Sequence, residues 1–188
     1  SIPDTLGSIG NYLSKHGWKR GRDWGFEVDV PLQVSCTLGG PDSGRKILLW
    51  HDSDVKRIRK KRYPIHELKG HGFLLFPAGR HGPTFVTTPN FYVLKKYNES
   101  DVYALFVGHL ADRFQGGKAF ENRWKKLPAL SRSHVARMQK KLIALGYDVG
   151  GADGLVGYKT RTAIGLWQES VGLTATCFPG KGVIERLR

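Results

Sequence analysis

At 188 residues, with 40% hydrophobic and 11% aromatic content, the chain has the makeup of one or two packed domains and not of a disordered segment. No apolar run reaches the roughly 18 residues of a membrane-spanning helix. Thirty Lys and Arg against sixteen Asp and Glu give +14, which calls for an acidic partner; nucleic acid, anionic wall polymer and phospholipid headgroups would each satisfy it.

The chain opens Ser1-Ile2-Pro3-Asp4 without a Met or an apolar leader, so any signal peptide lies outside these residues. Asp4 to Lys15 is predicted helical, with Asp4 as cap, Leu6, Ile9 and Leu13 on one face, and His16-Gly17-Trp18 ending it. Phe26 to Val30 alternates as a strand and stops at Pro31. The turn cluster Gly39 to Gly44 precedes a second expected strand, Ile47 to Trp50. Lys56 to Arg62 is the densest basic run, either a solvated face or an anion-binding patch. Phe73 to Phe76 is a short buried strand. Another starts at Phe85-Val86 and is expected to run through Pro89-Asn90 to Phe91 and Val93. Short connections between such strands imply a small antiparallel sheet.

A polar patch, Lys95 to Ser100, follows. Val102, Leu105, Phe106, His109, Leu110 and Phe114 then recur at helical spacing. Tyr97, Asn98, Ser100 and Tyr103 should gather at this corner, with Asn98 or Ser100 capping the helix. Ring faces beside amide and hydroxyl groups suit a sugar, which offers apolar ring faces and many hydroxyls.

Lys118 to Leu130, with Pro128, reads as a linker. From Ser131 a new pattern begins: Ser131 or Ser133 caps a helix carrying Val135, Met138, Leu142 and Leu145, and Gly146 stops it. A turn at Gly150 to Gly154 leads to a second helix with Thr160, Ala163, Ile164, Trp167 and Gln168, and Gly182 to Leu187 forms a third. The expected fold is therefore α+β: a small antiparallel sheet with flanking helices over 1–117, then three helices over 131–188. Cys36 and Cys177, in different units, either pair in an oxidising compartment or stay as two buried thiols; with no Cys-x-x-Cys, a zinc ribbon is excluded. The seven histidines are scattered, and no metal or cofactor is expected.

The last unit resembles the peptidoglycan-binding domain of wall-active enzymes. The residues that carry the resemblance are Val135-x-x-Met138-Gln139-x-x-Leu142-x-x-x-Gly146-Tyr147, Asp153-Gly154-x-x-Gly157-x-x-Thr160-x-x-Ala163-Ile164-x-x-Trp167-Gln168 and Gly172-Leu173. Ala175-Thr176-Cys177 departs from the Asp-Gly that members often place there. Most of the matched positions serve packing; Asp153, Tyr158, Thr160 and Arg161 are the candidates for groove contacts.

Residues 1–115 resemble the C-terminal part of the catalytic domain of B-type lytic murein transglycosylases. The blocks are Asp4-x-x-Gly7-Ser8-Ile9-x-Asn11-Tyr12-Leu13-x-x-His16-Gly17-Trp18-x-x-Gly21-x-x-Trp24, then Asn90-Phe91, Tyr97-Asn98-x-Ser100-x-x-Tyr103-Ala104, and Gly108 to Arg113. The resemblance implies cleavage of the N-acetylmuramic acid–N-acetylglucosamine bond without water. One glutamic acid protonates the leaving oxygen and then serves as base while the muramyl C6 hydroxyl closes a 1,6-anhydro ring. It also implies that Tyr97, Asn98 and Tyr103, joined by Ser100, line the sugar cleft, with peptidoglycan glycan strands as partner, in the periplasm or cell envelope.

The family's glutamate lies in an upstream Glu-Ser helix with no counterpart here. Glu99-Ser100 and Glu169-Ser170 belong to other blocks, so the chain alone is expected to be inactive. Glu99 is the one carboxyl beside the corner, and a helix-start Glu is ordinarily a surface residue, whereas an acid catalyst needs burial to hold its proton. A second reading is a non-catalytic wall-anchoring module; a third and remote one, a nucleic-acid binder, rests on charge alone without a helix-turn-helix or an RNA-binding aromatic strand, so no nucleic-acid partner is expected. The protein is expected to be a monomer that associates with the wall or a membrane surface.

Overall fold

The computed structural model describes residues 1–127 and 129–187; Pro128, assigned above to the linker, and Arg188, the last residue of the second unit, lie outside the described residues. Helix α1 (Ile2–Lys15) starts on a capping box. Ser1, not Asp4, is its cap: Ser1 Oγ accepts from the Asp4 amide (3.4 Å) and its hydroxyl donates to the Asp4 carboxylate (2.7 Å). Gly17, at φ 92°, turns the chain out of the helix; its amide donates to Ser14 O (3.0 Å) and that of Trp18 to Leu13 O (3.0 Å).

Strand β1 (Gly25–Asp29) is followed by β2 (Arg45–Lys46), α2 (Ile47–Asp52), β3 (Lys56–Arg57) and α3 (Ile65–Leu68). Then come β4 (His71–Leu75), β5 (Pro77–Arg80), β6 (Thr84–Thr87), α4 (Pro89–Tyr97) and α5 (Asp101–Phe114). Five strands form one sheet in the order β2-β4-β6-β1-β3, with every strand pairing antiparallel. On its central strand Phe85 and Val86 point to opposite faces. Val86 joins Phe26, Val28, Leu74, Ile47 and Trp50 in one cluster, while Phe85 joins Leu75, Trp24, Phe91, Leu94 and Leu105 in another. The sheet thus carries α2 on one side and α4 and α5 on the other.

Two strand expectations are corrected. Residues 47–50 are helical, because Ile47 and Trp50 are fully buried one turn apart while Leu48 and Leu49 face outward; a strand would bury every second residue. Phe91 and Val93 lie on α4, where Thr88 accepts from the Asn90 amide (3.2 Å) and Pro89 occupies the first turn, where its missing N–H costs nothing.

In the second unit α6 (Arg132–Ala144), α7 (Tyr158–Ser170) and α8 (Lys181–Arg186) enclose Val135, Met138, Leu142, Ile164, Trp167 and Val183. Ala175 and Cys177 leave that core and enter the sheet cluster, where Cys177 is disulfide-bonded to Cys36. The oxidised alternative is therefore the one the structure adopts. The segment read as a linker is laid along the sheet unit. Phe120 stacks on His109 (centroids 3.9 Å apart), the Glu121 and Asn122 amides donate to Glu27 (3.0 and 2.8 Å), and the Lys125 amide donates to His81 O (2.8 Å).

Candidate glycan-binding corner and groove

The corner is built by fastening the end of α1 to the start of α4. Asn90, buried at the N-terminus of α4, accepts from the Lys19 amide (2.9 Å) and donates to Lys19 O and Arg22 O (2.9 Å each). Thr88 donates to Asp23 O (2.5 Å), and the Arg22 guanidinium pairs with the fully buried Glu67. On the other side α5 closes against Trp24, whose indole N–H donates to Asp112 (2.8 Å). Gly108 permits this approach, since a Cβ there would lie 2.7 Å from the Trp24 ring.

These ties bring Tyr12, Tyr97 and Tyr103 together from three helices. Tyr12 donates to Lys96 O (2.8 Å) and meets Tyr97 edge-on at 6.0 Å; Tyr97 and Tyr103 lie nearly parallel at 6.3 Å. His16 stacks on Tyr12 at 4.0 Å. Tyr97 is 63% exposed, an open ring beside the edges of its neighbours. Ser100 caps α5 by accepting from the Tyr103 amide (3.3 Å), and Asn98 accepts from the Ser100 amide (3.0 Å). Of the two candidate caps Ser100 is the one used, and Asn98 instead forms a turn that holds Ser100 in place. Both residues are exposed, and among the described residues neither side chain donates a hydrogen bond.

Next to the corner a groove of about 850 Å³ lies between the two units, and Tyr12, Tyr97, Asn98 and Tyr103 stand outside its lining. Lys96, Glu99 and Ser100 belong to both corner and groove, and Asp153, Tyr158, Thr160 and Arg161 form the opposite wall. Two of these four chiefly hold the second unit together. Asp153 accepts from the Leu155 amide (2.9 Å) and Gln139 (3.2 Å), and Thr160 is buried between Gln139 (3.1 Å) and Val149 O (3.3 Å). The other two bridge the units. Tyr158 donates to Asp42 (3.1 Å), and Arg161 donates to Asp101 (2.5 Å) and Val156 O (3.0 Å).

Asp101 is the hinge of this arrangement, accepting from Lys95 (2.5 Å) as well as Arg161. Burial by itself would push its carboxyl up, but the Arg161 and Lys95 charges outweigh that and hold it below the usual carboxylate range. Glu99 is exposed at the rim, and hydrogen bonds from the Leu155 amide and Gln139 hold the Asp153 carboxyl down. Neither Asp101 nor Asp153 has the raised pKa of a resting proton donor, and Glu99 lacks the burial of one. Burial does push up Asp23, Glu27 and Asp112, but Asp112 engages Trp24, Glu27 engages the 121–122 segment, and all three lie outside the groove lining. Corner and groove are equipped to hold a polar chain with apolar faces. Among the described residues no three His, Cys, Asp or Glu side chains gather as a metal site.

Sequence reasoning placed Tyr97, Asn98, Ser100 and Tyr103 in the corner and did not include Tyr12 or His16. Their i, i+4 spacing across the end of α1 was the available signal. The union of the two residue sets along one groove depends on the Asp101–Arg161 pair, 60 positions apart in the chain.

Residues 1–112 match the transglycosylase SLT domain family, and residues 131–187 match a peptidoglycan binding domain. The fold superposes on two crystal structures of SltB3 from Pseudomonas aeruginosa, solved in complex with NAG-anhNAM-pentapeptide and with NAG-NAM-pentapeptide. Identity is 37% in both, with TM-scores of 0.89 and 0.90; each match covers 100% of this chain and 50% of the other. The chain thus spans about half the length of these solved structures. No curated protein matches it.

Proposed function

The chain belongs to the transglycosylase SLT domain family, with a peptidoglycan-binding domain behind it, and from that premise we propose that it holds a peptidoglycan glycan strand along the tyrosine corner and groove. The observation that carries this reading is that Ser100 of the corner lines the groove together with its neighbours Lys96 and Glu99. An open tyrosine ring offers an apolar face to a pyranose, while Asn98 and Ser100 offer hydrogen bonds to its hydroxyls. Support comes also from the SltB3 structures, which hold disaccharide-pentapeptides.

The reaction we infer for the complete protein is lytic cleavage of the bond between N-acetylmuramic acid and N-acetylglucosamine. A proton goes to the glycosidic oxygen, the C1–O bond breaks, and the muramyl O6 bonds to C1. The O6 proton passes to the group that acted as acid, so no water is consumed. This chain's share would be to grip the sugars and orient the muramyl ring; the acid would come from another segment. By itself the chain is expected to bind without cleaving. Incubation with purified sacculi should leave it in the pellet and no 1,6-anhydromuropeptides in the supernatant. Anhydro products abolished by Glu99→Gln would overturn this reading and give the exposed Glu99 the catalytic role.

Binding should weaken with salt without vanishing. Stem peptides carry carboxylates that attract a +14 protein, and exposed charges are screened within about 10 Å at 0.1 M salt, while ring and hydroxyl contacts persist. Complete release at ~0.5 M salt would reduce the interaction to nonspecific charge. Tyr97→Ala should weaken binding of a soluble muropeptide about tenfold, or ~1.4 kcal/mol. Its melting temperature should stay put, because the ring is exposed. A calorimetric titration showing unchanged affinity would remove Tyr97 from the site.

A further inference from the structure

Helix α6 carries Arg132, Arg137, Lys140 and Lys141 and no acidic residue. It buries Val135, Met138, Gln139 and Leu142, so Arg137, Lys140, Lys141 and Ala144 fall together on the opposite side, three and four positions apart. With Leu187, at the end of α8, these four line a pocket of about 420 Å³ that shares no lining residue with the groove. No carboxylate lines it among the described residues. Three of the four acids in residues 131–187 are engaged elsewhere. Asp148 pairs with Lys159 (2.7 Å), Asp153 accepts from Gln139 (3.2 Å), and Glu169 accepts from Ser35 (2.5 Å). The fourth, Glu185, stands on α8 outside the lining. Arg132 donates to Asp153 O (3.1 Å), which leaves Arg137, Lys140 and Lys141 for the pocket.

The rim beside these cations is apolar. Ile143 and Leu145, one turn beyond Lys140 and Lys141, are 48% and 51% exposed. The Tyr147 and Ser170 hydroxyls hydrogen-bond (2.9 Å) and hold the end of α7 alongside, where Val171 is 48% exposed. Cations gathered on one helix beside open aliphatic side chains are the makeup of an element that rests on an anionic membrane surface. The charged groups meet phosphates there, and the aliphatic groups reach the acyl boundary. A phosphate, with oxygens on several sides, can accept from Arg137, Lys140 and Lys141 together. An aliphatic rim has nothing to meet on a free anion or a nucleic-acid backbone. The basic run Lys56 to Arg62 has charge without such a rim, since Ile58 is its one apolar residue and is partly buried.

We propose that the pocket and rim at the end of α6 bind the phosphate headgroups of an anionic phospholipid surface. The site shares no residue with the corner or the groove, so it stands apart from the glycan reading.

The test is co-sedimentation of the full chain with vesicles of phosphatidylglycerol and phosphatidylcholine in equal parts, and with phosphatidylcholine alone. Binding should be at least about tenfold stronger with the anionic vesicles. Arg137→Glu combined with Lys140→Glu should weaken it at least about tenfold. Lys61→Glu combined with Arg62→Glu removes the same net charge and should change it about twofold at most. Ile143→Asp, which leaves every cation in place, should also release the chain. All these side chains are exposed, so the melting temperatures of the variants should match that of the wild type. No binding to the anionic vesicles, or equal losses in the two charge-reversed pairs, would overturn the proposal. So would release by inorganic phosphate while Ile143→Asp still binds, which assigns the pocket to free phosphate. Loss of sacculus binding in Arg137→Glu/Lys140→Glu with vesicle binding unchanged would overturn it too, and assign the pocket to the wall.

Discussion

Asp101→Ala is expected to cost about 3–5 kcal/mol of folding stability, the penalty for stranding buried charges. The side chain of Asp101 is 10% exposed and its partners Lys95 and Arg161 are 18% and 8% exposed, so solvent does little to screen them once the carboxylate is gone. The damage falls where the two units meet, since Arg161 is on α7 and Lys95 on α4. The same pairing makes an acid-sensitive contact. The folded carboxyl has its pKa below the unfolded value of about 3.9, so its contribution is full above that value and is lost as pH falls through the folded pKa. Urea unfolding of the wild type and Asp101→Asn should therefore differ widely at pH 7, with the gap narrowing below about pH 4. A constant gap down to pH 2 would mean that the carboxylate charge is not what holds the contact.

Removing the Cys36–Cys177 disulfide is the second large effect. It closes a loop spanning 141 positions, and a loop of that size restricts the unfolded chain enough to contribute about 2–5 kcal/mol. The joined segments are also packed tightly: Gly165 of α7 faces Thr37 and Cys177 at a distance that leaves no space for a Cβ. Cys36→Ser combined with Cys177→Ser, or treatment with reductant, should lower the melting temperature by on the order of 10 °C for a protein of this size. The two units should also separate in their unfolding, because each keeps its own apolar cluster. Superimposable melts with and without reductant would contradict the assignment of this bond as the staple between units.

Both predictions concern contacts that no local pattern announces. What the sequence displayed clearly was local chemistry: Ser100 and Ser131 as caps, Gly17 and Gly146 as helix stops, and the helical spacing of Val102 to Phe114. The corner tyrosines were legible because Tyr97 and Tyr103 lie within one short stretch that ends one helix and begins the next. Residues 47–50 misled because four consecutive apolar residues look alike as strand or helix; only the burial of Ile47 and Trp50 decides. Phe91 and Val93 misled because the Thr-Pro start of α4 follows directly on β6. The segment after α5 resembled a tether because its anchors, Phe120 and Trp124, are single aromatics in a basic stretch. Trp124 packs against Gly82 and Phe120 against His109, contacts that sequence spacing does not encode. The groove was the least legible feature, since its two walls come from halves joined by Asp101–Arg161, Tyr158–Asp42 and the disulfide.

If corner and groove act as one surface for a glycan strand, both respond when one ligand binds. The most direct measurement is amide and side-chain chemical-shift mapping with a soluble disaccharide-peptide from murein. Shifts are expected at Tyr12, Tyr97, Asn98 and Tyr103, continuing through Ser100 to Tyr158 and Arg161, and disappearing in Tyr97→Ala. Shifts confined to the basic run Lys56 to Arg62, with the tyrosines silent, would contradict it and leave only a charged surface adhering to an acidic polymer.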